Sequence, residues 1–201
     1  MRVAKLGGSV ASRLSGILDE LKAGGDVLIV PGGWIFADSV RELDEQRRLP
    51  PSAAHWMCIA GMEMYAHYIS SFGVNAVEDL KEEEIKGLCV LLPYKTLRLA
   101  DELPHSWDVT SDSIAVWVAS KLGVEEVIKI TNVDGVYVDG EFVERVEASA
   151  LIGKKTCVDS FAPKLMVETG IDMFVCNGLV EGRVKNYILG GRAKGTLIEG
   201  K

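Results

Sequence analysis

Met1-Arg2-Val3-Ala4-Lys5-Leu6-Gly7-Gly8-Ser9 opens the chain, and the fold turns on how it is read. Residues 3–6 form a short apolar run with one cation, Lys5, inside it. Two glycines and a serine then lead into residues 10–22. There Leu14, Ile17, Leu18 and Leu21 recur at helical spacing, and Ala23-Gly24-Gly25 ends the pattern. A glycine turn between strand and helix presents backbone N–H groups at the positive end of a helix, which suits a phosphate. Lys5 adds a full charge beside them. No G-x-x-x-x-G-K-[ST] loop occurs, so the P-loop route to phosphate binding is absent.

The same order repeats downstream. Residues 26–30 read as an apolar strand running into Pro31-Gly32-Gly33, and a helix is expected over 36–45. A third helix starts at Pro50-Pro51-Ser52 and carries Met57, Met62, Met64, Tyr65 and Tyr68. Further strands are expected at 87–92, 126–130, 172–176 and 196–199, with helices at 108–122, 161–169 and 180–189. Residues 136–143 read as a hairpin turning at Asp139-Gly140. Strands alternating with helices imply an α/β fold, a mainly parallel sheet with helices on both faces. Ligands of such sheets gather at the carboxyl ends of strands. The turns at Gly7-Gly8 and Gly32-Gly33 are therefore placed to meet at one anion, where the missing Cβ lets backbone approach closely. The plain alternative is two tight strand-to-helix turns.

Composition narrows the function classes. The 201 residues, 48% hydrophobic and 25% charged, fit a soluble globular protein of one domain or two intimate lobes. A lobe boundary is expected between Leu92 and Trp107, near Pro93 and Pro104. The net charge is −7 and no basic stripe appears, so a nucleic-acid partner is not expected. Cys58, Cys89, Cys157 and Cys176 are widely spaced without a C-x-x-C, which points to free thiols in the cytoplasm rather than a zinc centre. No signal-peptide core or bilayer-length apolar run is seen, so no membrane partner is expected.

Three other segments concentrate chemistry. Residues 106–115 crowd Ser106, Asp108, Thr110, Ser111, Asp112 and Ser113 at a helix start, more than N-capping alone requires. Residues 129–137 run from a strand into Asn132, Asp134 and Gly135, where turn chemistry is the plain reading. Phe161-Ala162-Pro163-Lys164 places a lysine in the first turn of a helix, where a cation is unfavourable unless an anion sits beside it.

Taken in order, K-x-G-G-S at 5–9, P-G-G at 31–33, S-D-S-x-A at 111–115, T-N-V-D-G-V-Y at 131–137, P-K at 163–164 and G-T-x-I at 195–198 resemble the amino acid kinase family. The resemblance implies a three-layer αβα sandwich, one domain over 1–201 with a phosphoryl-acceptor half (1–95) and an ATP-binding half (96–201). It implies a phosphotransferase using ATP and Mg²⁺, the metal carried by the nucleotide. By that likeness Lys5 and Lys164 hold the transferred phosphoryl group and Asp112 orients both lysines. Gly7, Gly8, Ser9, Gly32 and Gly33 line the phosphate site, Gly8 and Gly33 through N–H bonds. Thr131, Asn132, Asp134, Gly135, Val136 and Tyr137 fall on the nucleotide. Relatives commonly associate, so a homodimer or higher homo-oligomer is expected, with the Met- and Tyr-rich helix as a candidate face.

Within the family, G-G-W-I-F-A-D-S-V-R-E-L-D at 32–44, A-A-H-W-M at 53–57 and S-W-D-V-T-S-D-S at 106–113 narrow the likeness. They resemble a kinase that adds a second phosphate to a small phosphomonoester bearing an aminomethylfuran. On this reading Trp34 narrows the acceptor side, Asp38 pairs with the ammonium, Arg41 holds the acceptor phosphate, and His55 and Trp56 wall the ring. Asp38 and Arg41 read equally as an exposed intrahelical pair, and Trp56 as core. Isopentenyl phosphate kinases place a histidine near the position of Asp38, and a carboxylate there suits an amine better than a lipid phosphate. Another acceptor, or a non-catalytic nucleotide- or oxyanion-binding role, are the competing expectations.

Overall fold

The computed structural model describes residues 1–201 as ten strands and seven α-helices. The first half comprises β1 (Arg2–Leu6), α1 (Leu14–Lys22), β2 (Val27–Pro31), α2 (Trp34–Arg47), α3 (Pro51–Ser70), β3 (Asn75–Val77), β4 (Leu88–Leu91) and α4 (Pro93–Ala100). The second comprises α5 (Ser111–Lys121), β5 (Glu126–Thr131), β6 (Val136–Val138), β7 (Glu141–Val143) and β8 (Arg145–Glu147). It closes with α6 (Ala162–Thr169), β9 (Asp172–Asn177), α7 (Arg183–Gly190) and β10 (Thr196–Glu199). Eight strands form one sheet in the order β3-β4-β2-β1-β5-β9-β10-β8, and β6 pairs with β7 as a separate hairpin. Every neighbouring pair in the large sheet is parallel except β9 with β10.

The central strands are apolar throughout because both faces are covered, as parallel sheets require. Side chains alternate along each strand. Val3, Leu28, Val30, Val127, Met173 and Val175 enter a core shared with α5 and α6. Ala4, Leu6, Ile29, Ile128, Ile130 and Phe174 enter the opposite core with α1 and α7. The helix α3 closes the β4 side and contributes to both: Ile59 and Met62 to the first, Tyr65 and Ile69 to the second. Its Met57, Met64 and Tyr68 are exposed. No helix is long and apolar enough to cross a membrane.

Three elements differ from the sequence reading. The expected boundary segment holds α4, where Pro93 sits in the first turn; a proline there lacks only an N–H that has no helical partner anyway. Strands β3 and β8 are short, partly exposed edge strands without a clear apolar alternation. The helix expected from residue 10 begins instead as a 3₁₀ turn, Gly8–Arg13, before α1.

A buried carboxylate joins the two ends of the chain. Glu20 of α1 pairs with Arg13 and accepts the Gly182 and Lys185 N–H groups at 2.9 and 3.0 Å, capping α7. Burial pushes its carboxyl up, but the hydrogen bonds from Arg13, Gly182 and Lys185 outweigh that and hold it below the ordinary glutamate value. Glu20→Ala is expected to cost about 3 kcal/mol, read by urea unfolding, because a buried cation and two helix-start donors lose their acceptor. A depressed carboxylate supports the fold fully above its unfolded value and less as pH falls through the folded one. The variant should therefore lose part of the wild type's acid dependence.

Candidate active site

Two lysines stand side by side at the carboxyl end of the central strands. Lys5 of β1 is the register partner of Lys129 of β5. Alternation aims both at the face covered by α5, and parallel neighbours lie only about 4.8 Å apart. Two ammonium groups so placed repel unless an anion separates them. Asp112, in the first turn of α5, is that anion. Its Oδ2 accepts from Lys129 Nζ at 2.5 Å, and its Oδ1 lies 3.0 Å from Lys5 Nζ. The second contact is an ion pair whose angle falls short of a hydrogen bond, so Asp112 Oδ1 is buried without one. The three side chains are 10%, 3% and 5% exposed for Lys5, Lys129 and Asp112. Burial pushes the Asp112 carboxyl up, yet Lys129 and then Lys5 hold it far below the usual carboxylate range. Burial lowers Lys5, Asp112 opposes that, and neighbouring Lys129 adds to it.

The two lysines are held differently. Lys129 Nζ also donates to the Cys157 carbonyl at 2.5 Å, so it is fixed from two sides. Lys5 has no aligned acceptor, and its Nζ lies beside the Gly7 turn, 3.6 Å from where a Cβ on Gly7 would be. Behind them Asp159 ties the starts of α5 and α6 together. Its carboxylate accepts from Thr110 N and Oγ1 at 2.9 and 2.8 Å, Ser113 N and Oγ at 3.0 and 2.5 Å, and Ala162 N at 2.8 Å. Its own N–H donates to Asp112 Oδ2 at 3.2 Å. This network accounts for Thr110, Asp112 and Ser113 of the hydroxyl-rich segment, with Thr110 as the N-cap of α5.

The glycine turns interlock above Lys5. Gly7 N–H donates to the Ile130 carbonyl at 3.0 Å and Gly32 N–H to the Leu6 carbonyl at 2.8 Å, tying the β1 and β2 turns to β5. Gly33 N–H has no backbone partner, and Gly8 opens a 3₁₀ helix whose first N–H groups point outward. Ser9 is exposed next to it. Trp34 starts α2 in the left-handed region at φ 47°. A Cβ on Gly8 would lie 2.6 Å from the Trp34 Cα, and one on Gly33 2.2 Å from the Ala37 Cβ. Gly8→Ala is therefore expected to push the two turns apart. A kcat loss of about 100-fold or more together with a clearly lowered melting temperature would be the signature; unchanged kcat would show that the turns need not interlock.

A cavity of about 520 Å³ opens from these turns between α2, α3 and the segment before α5. Trp34, Asp38, Arg41 and His55 all line it, together with Asp44 and Trp107. Trp34 stacks on Tyr68 at 5.3 Å and tilts against buried Tyr65 at 5.0 Å. His55 stacks on His105 at 4.2 Å, and His105 is fixed by Asp101 and Ser52, each at 2.8 Å. Burial, then the neighbouring His105, lowers His55 to about 4, leaving it neutral near pH 7. Asp38 and Arg41 pair with one another at 3.2 Å on a largely exposed face. Trp56 lies outside the cavity, half-buried beneath the Arg98 guanidinium.

The other expected residues cluster beyond β5. Thr131 ends β5, and Asn132 is exposed. Asp134 accepts from Arg183 and Asn177 at 2.5 and 3.3 Å and pairs with Lys194 at 2.8 Å, and Lys194 and then Arg183 hold its carboxyl far below its ordinary value. Gly135 packs against buried Thr196, whose hydroxyl accepts the Val136 N–H at 2.8 Å. Tyr137 is exposed and meets Phe142 edge-on. Lys164 lies in the first turn of α6, exposed, with no hydrogen bond or ion pair. The second lysine on Asp112 is Lys129, not Lys164. Lys129 shows the same signal as Lys5, a lone lysine inside an apolar central strand, and the sequence reading passed over it.

The model of the amino acid kinase family matches residues 1–171. A [5-(aminomethyl)furan-3-yl]methyl phosphate kinase from Methanocaldococcus jannaschii is 32% identical over 203 residues, covering 94% of each chain. An acetylglutamate kinase from Kosmotoga olearia is 31% identical over 137 residues, 63% of this chain and 49% of that one. The crystal structure of uridylate kinase from Archaeoglobus fulgidus superposes with a TM-score of 0.75 at 20% identity, covering 98% of this chain and all of the other.

Proposed function

The chain belongs to the amino acid kinase family and is a kinase, and from that premise we propose that it transfers the γ-phosphoryl group of ATP to [5-(aminomethyl)furan-3-yl]methyl phosphate, giving the diphosphate. The observation that carries the phosphoryl-transfer half is Lys5, buried without an aligned acceptor and lying beside the Gly7 turn, onto which the Gly32 turn closes. Such a group is stabilised by an arriving anion. The acceptor half rests on the 32% identical relative and on a cavity with anion-receiving turns at one end and carboxylates further along.

Phosphoryl transfer needs in-line positioning and charge neutralisation more than covalent chemistry. On this reading Gly8 and Gly33 N–H groups and Lys5 take the charge that builds on the transferred group. Asp112 and Lys129 hold Lys5 in place. Lys164, exposed and unpaired, reaches the nucleotide phosphates from the α6 side, and residues 131–137 border the nucleoside. On this reading Mg²⁺ arrives carried by the ATP phosphates, as the family likeness implies. Bound there, Mg²⁺ offsets charge on the phosphate oxygens.

Phosphorus NMR with Mg-ATP tests the reading. The aminomethylfuran phosphate should give a new diphosphate signal matched by ADP. Isopentenyl phosphate, UMP, acetylglutamate and carbamate, run in parallel, should not. Turnover of one of those instead would keep the transfer chemistry and replace the acceptor. ATP binding without turnover of any would favour a non-catalytic role.

A further inference from the structure

We propose that Asp44 is the residue that recognises a primary ammonium group on the acceptor, with Trp107 positioning it; the proposal rests on the acceptor reading above. Asp44 follows Asp38 and Arg41 along the face of α2 that lines the cavity. Each of its carboxylate oxygens accepts one neutral donor: Oδ1 takes the Leu49 N–H at 2.7 Å and Oδ2 the Trp107 Nε1–H at 2.8 Å. An ionised carboxylate offers about four acceptor positions, so roughly half of its capacity is left, fixed in direction and without a cation.

Asp38, by contrast, is 72% exposed and already holds Arg41. The Arg41 guanidinium already covers the Trp107 ring, 5.0 Å from its centroid, so the open side of the pair is the Asp44 carboxylate itself. A fixed carboxylate with unfilled acceptor positions in a concave site complements an ammonium group. Asp44 is eleven residues beyond Gly33, about 16 Å along the helix axis from the anion turn. On this proposal the cavity receives an anion at Gly33 and a cation at Asp44, and Trp34, His55 and His105 line the same cavity.

Calorimetry with matched phosphomonoesters tests this: aminomethylfuran phosphate against its methylfuran analogue, and 6-aminohexyl phosphate against hexyl phosphate. The wild type is expected to bind the amine member of each pair about 10- to 100-fold more tightly. Asp44→Asn should erase that preference while leaving the neutral members unchanged. Trp107→Phe, which keeps the ring but removes the N–H, should weaken the amine members alone and leave the KM for ATP unmoved. A wild type without the preference, an Asp44→Asn that weakens both members equally, or a preference erased by Asp38→Asn instead would each overturn the proposal. Amine preference through Asp44 without turnover of the furan phosphate would overturn the acceptor reading and uphold this one. Turnover of the furan phosphate with the amine preference intact in Asp44→Asn would do the reverse.

Discussion

Asp112→Ala is expected to be the most damaging single change in this protein, removing kinase activity and destabilising the fold together. Two ammonium groups, 10% and 3% exposed, would be left facing each other across adjacent strands. Removing one partner of a buried ion pair costs about 3–5 kcal/mol, and here one carboxylate serves two cations. The Asp159 N–H would lose its acceptor as well. Where Asp112→Ala fails to fold, Asp112→Asn keeps the volume and one acceptor oxygen. It should fold with reduced stability and a kcat lowered about 100- to 1,000-fold, the scale for disturbing a pre-set charge at a transition state.

The acid limb gives an independent check. The folded-state carboxyl of Asp112 is depressed, so its support is complete above the unfolded value and drains as pH falls through the folded one. Asp112→Asn should flatten that part of the stability profile. For Lys5 the sign is opposite in origin but the same in slope. Its folded value lies below the ordinary lysine value, so the unfolded chain binds more protons between the two, and stability rises with pH across that window. Equal kcat in Asp112→Asn and wild type would dismantle the proposed role of the triad.

Local patterns carried most of this fold and only part of the site. Apolar runs alternating with 3.6-period segments located eight of the ten strands, because the central strands are buried on both faces and leave no ambiguity of period. The exceptions have physical causes. Strands β3 and β8 owe their existence to pairing with β4 and β10, not to their own composition. Pro93 reads as a breaker unless it is known to occupy the first helical turn. In the site, Lys5 was legible because a lone cation precedes a double glycine. Lys129 became meaningful only through its register with Lys5, separated by 124 positions in sequence. Asp159 was illegible for the same reason: the donors that define it from α5 come from residues 46–49 positions away. Asp44 stood in a quoted motif, but its partners Leu49 and Trp107 belong to segments that tertiary structure alone brings together.

Lys5→Met and Lys129→Met should separate chemistry from architecture. Lys129 spends two of its three protons on Asp112 and the Cys157 carbonyl. Removing it strands a buried carbonyl and leaves Asp112 with one misaligned cation, so a loss of about 2–4 kcal/mol is expected, with kcat falling because Lys5 is no longer held. Lys5 makes no aligned hydrogen bond, and burial already weighs against its charge. Methionine of similar volume should therefore change stability by about 1 kcal/mol or less, since Asp112 keeps Lys129. Its kcat should nevertheless drop about 1,000-fold, because the cation that meets the transferred group is gone. Lys164→Ala is the third arm. At an exposed position without partners it should leave stability within about 0.5 kcal/mol, so a fall in kcat there reports lost charge at the nucleotide phosphates and nothing else. If Lys129→Met instead kept full stability and lost as much kcat as Lys5→Met, Lys129 would itself be in contact with the reacting phosphates, and the division between a lysine that acts and a lysine that holds would fall.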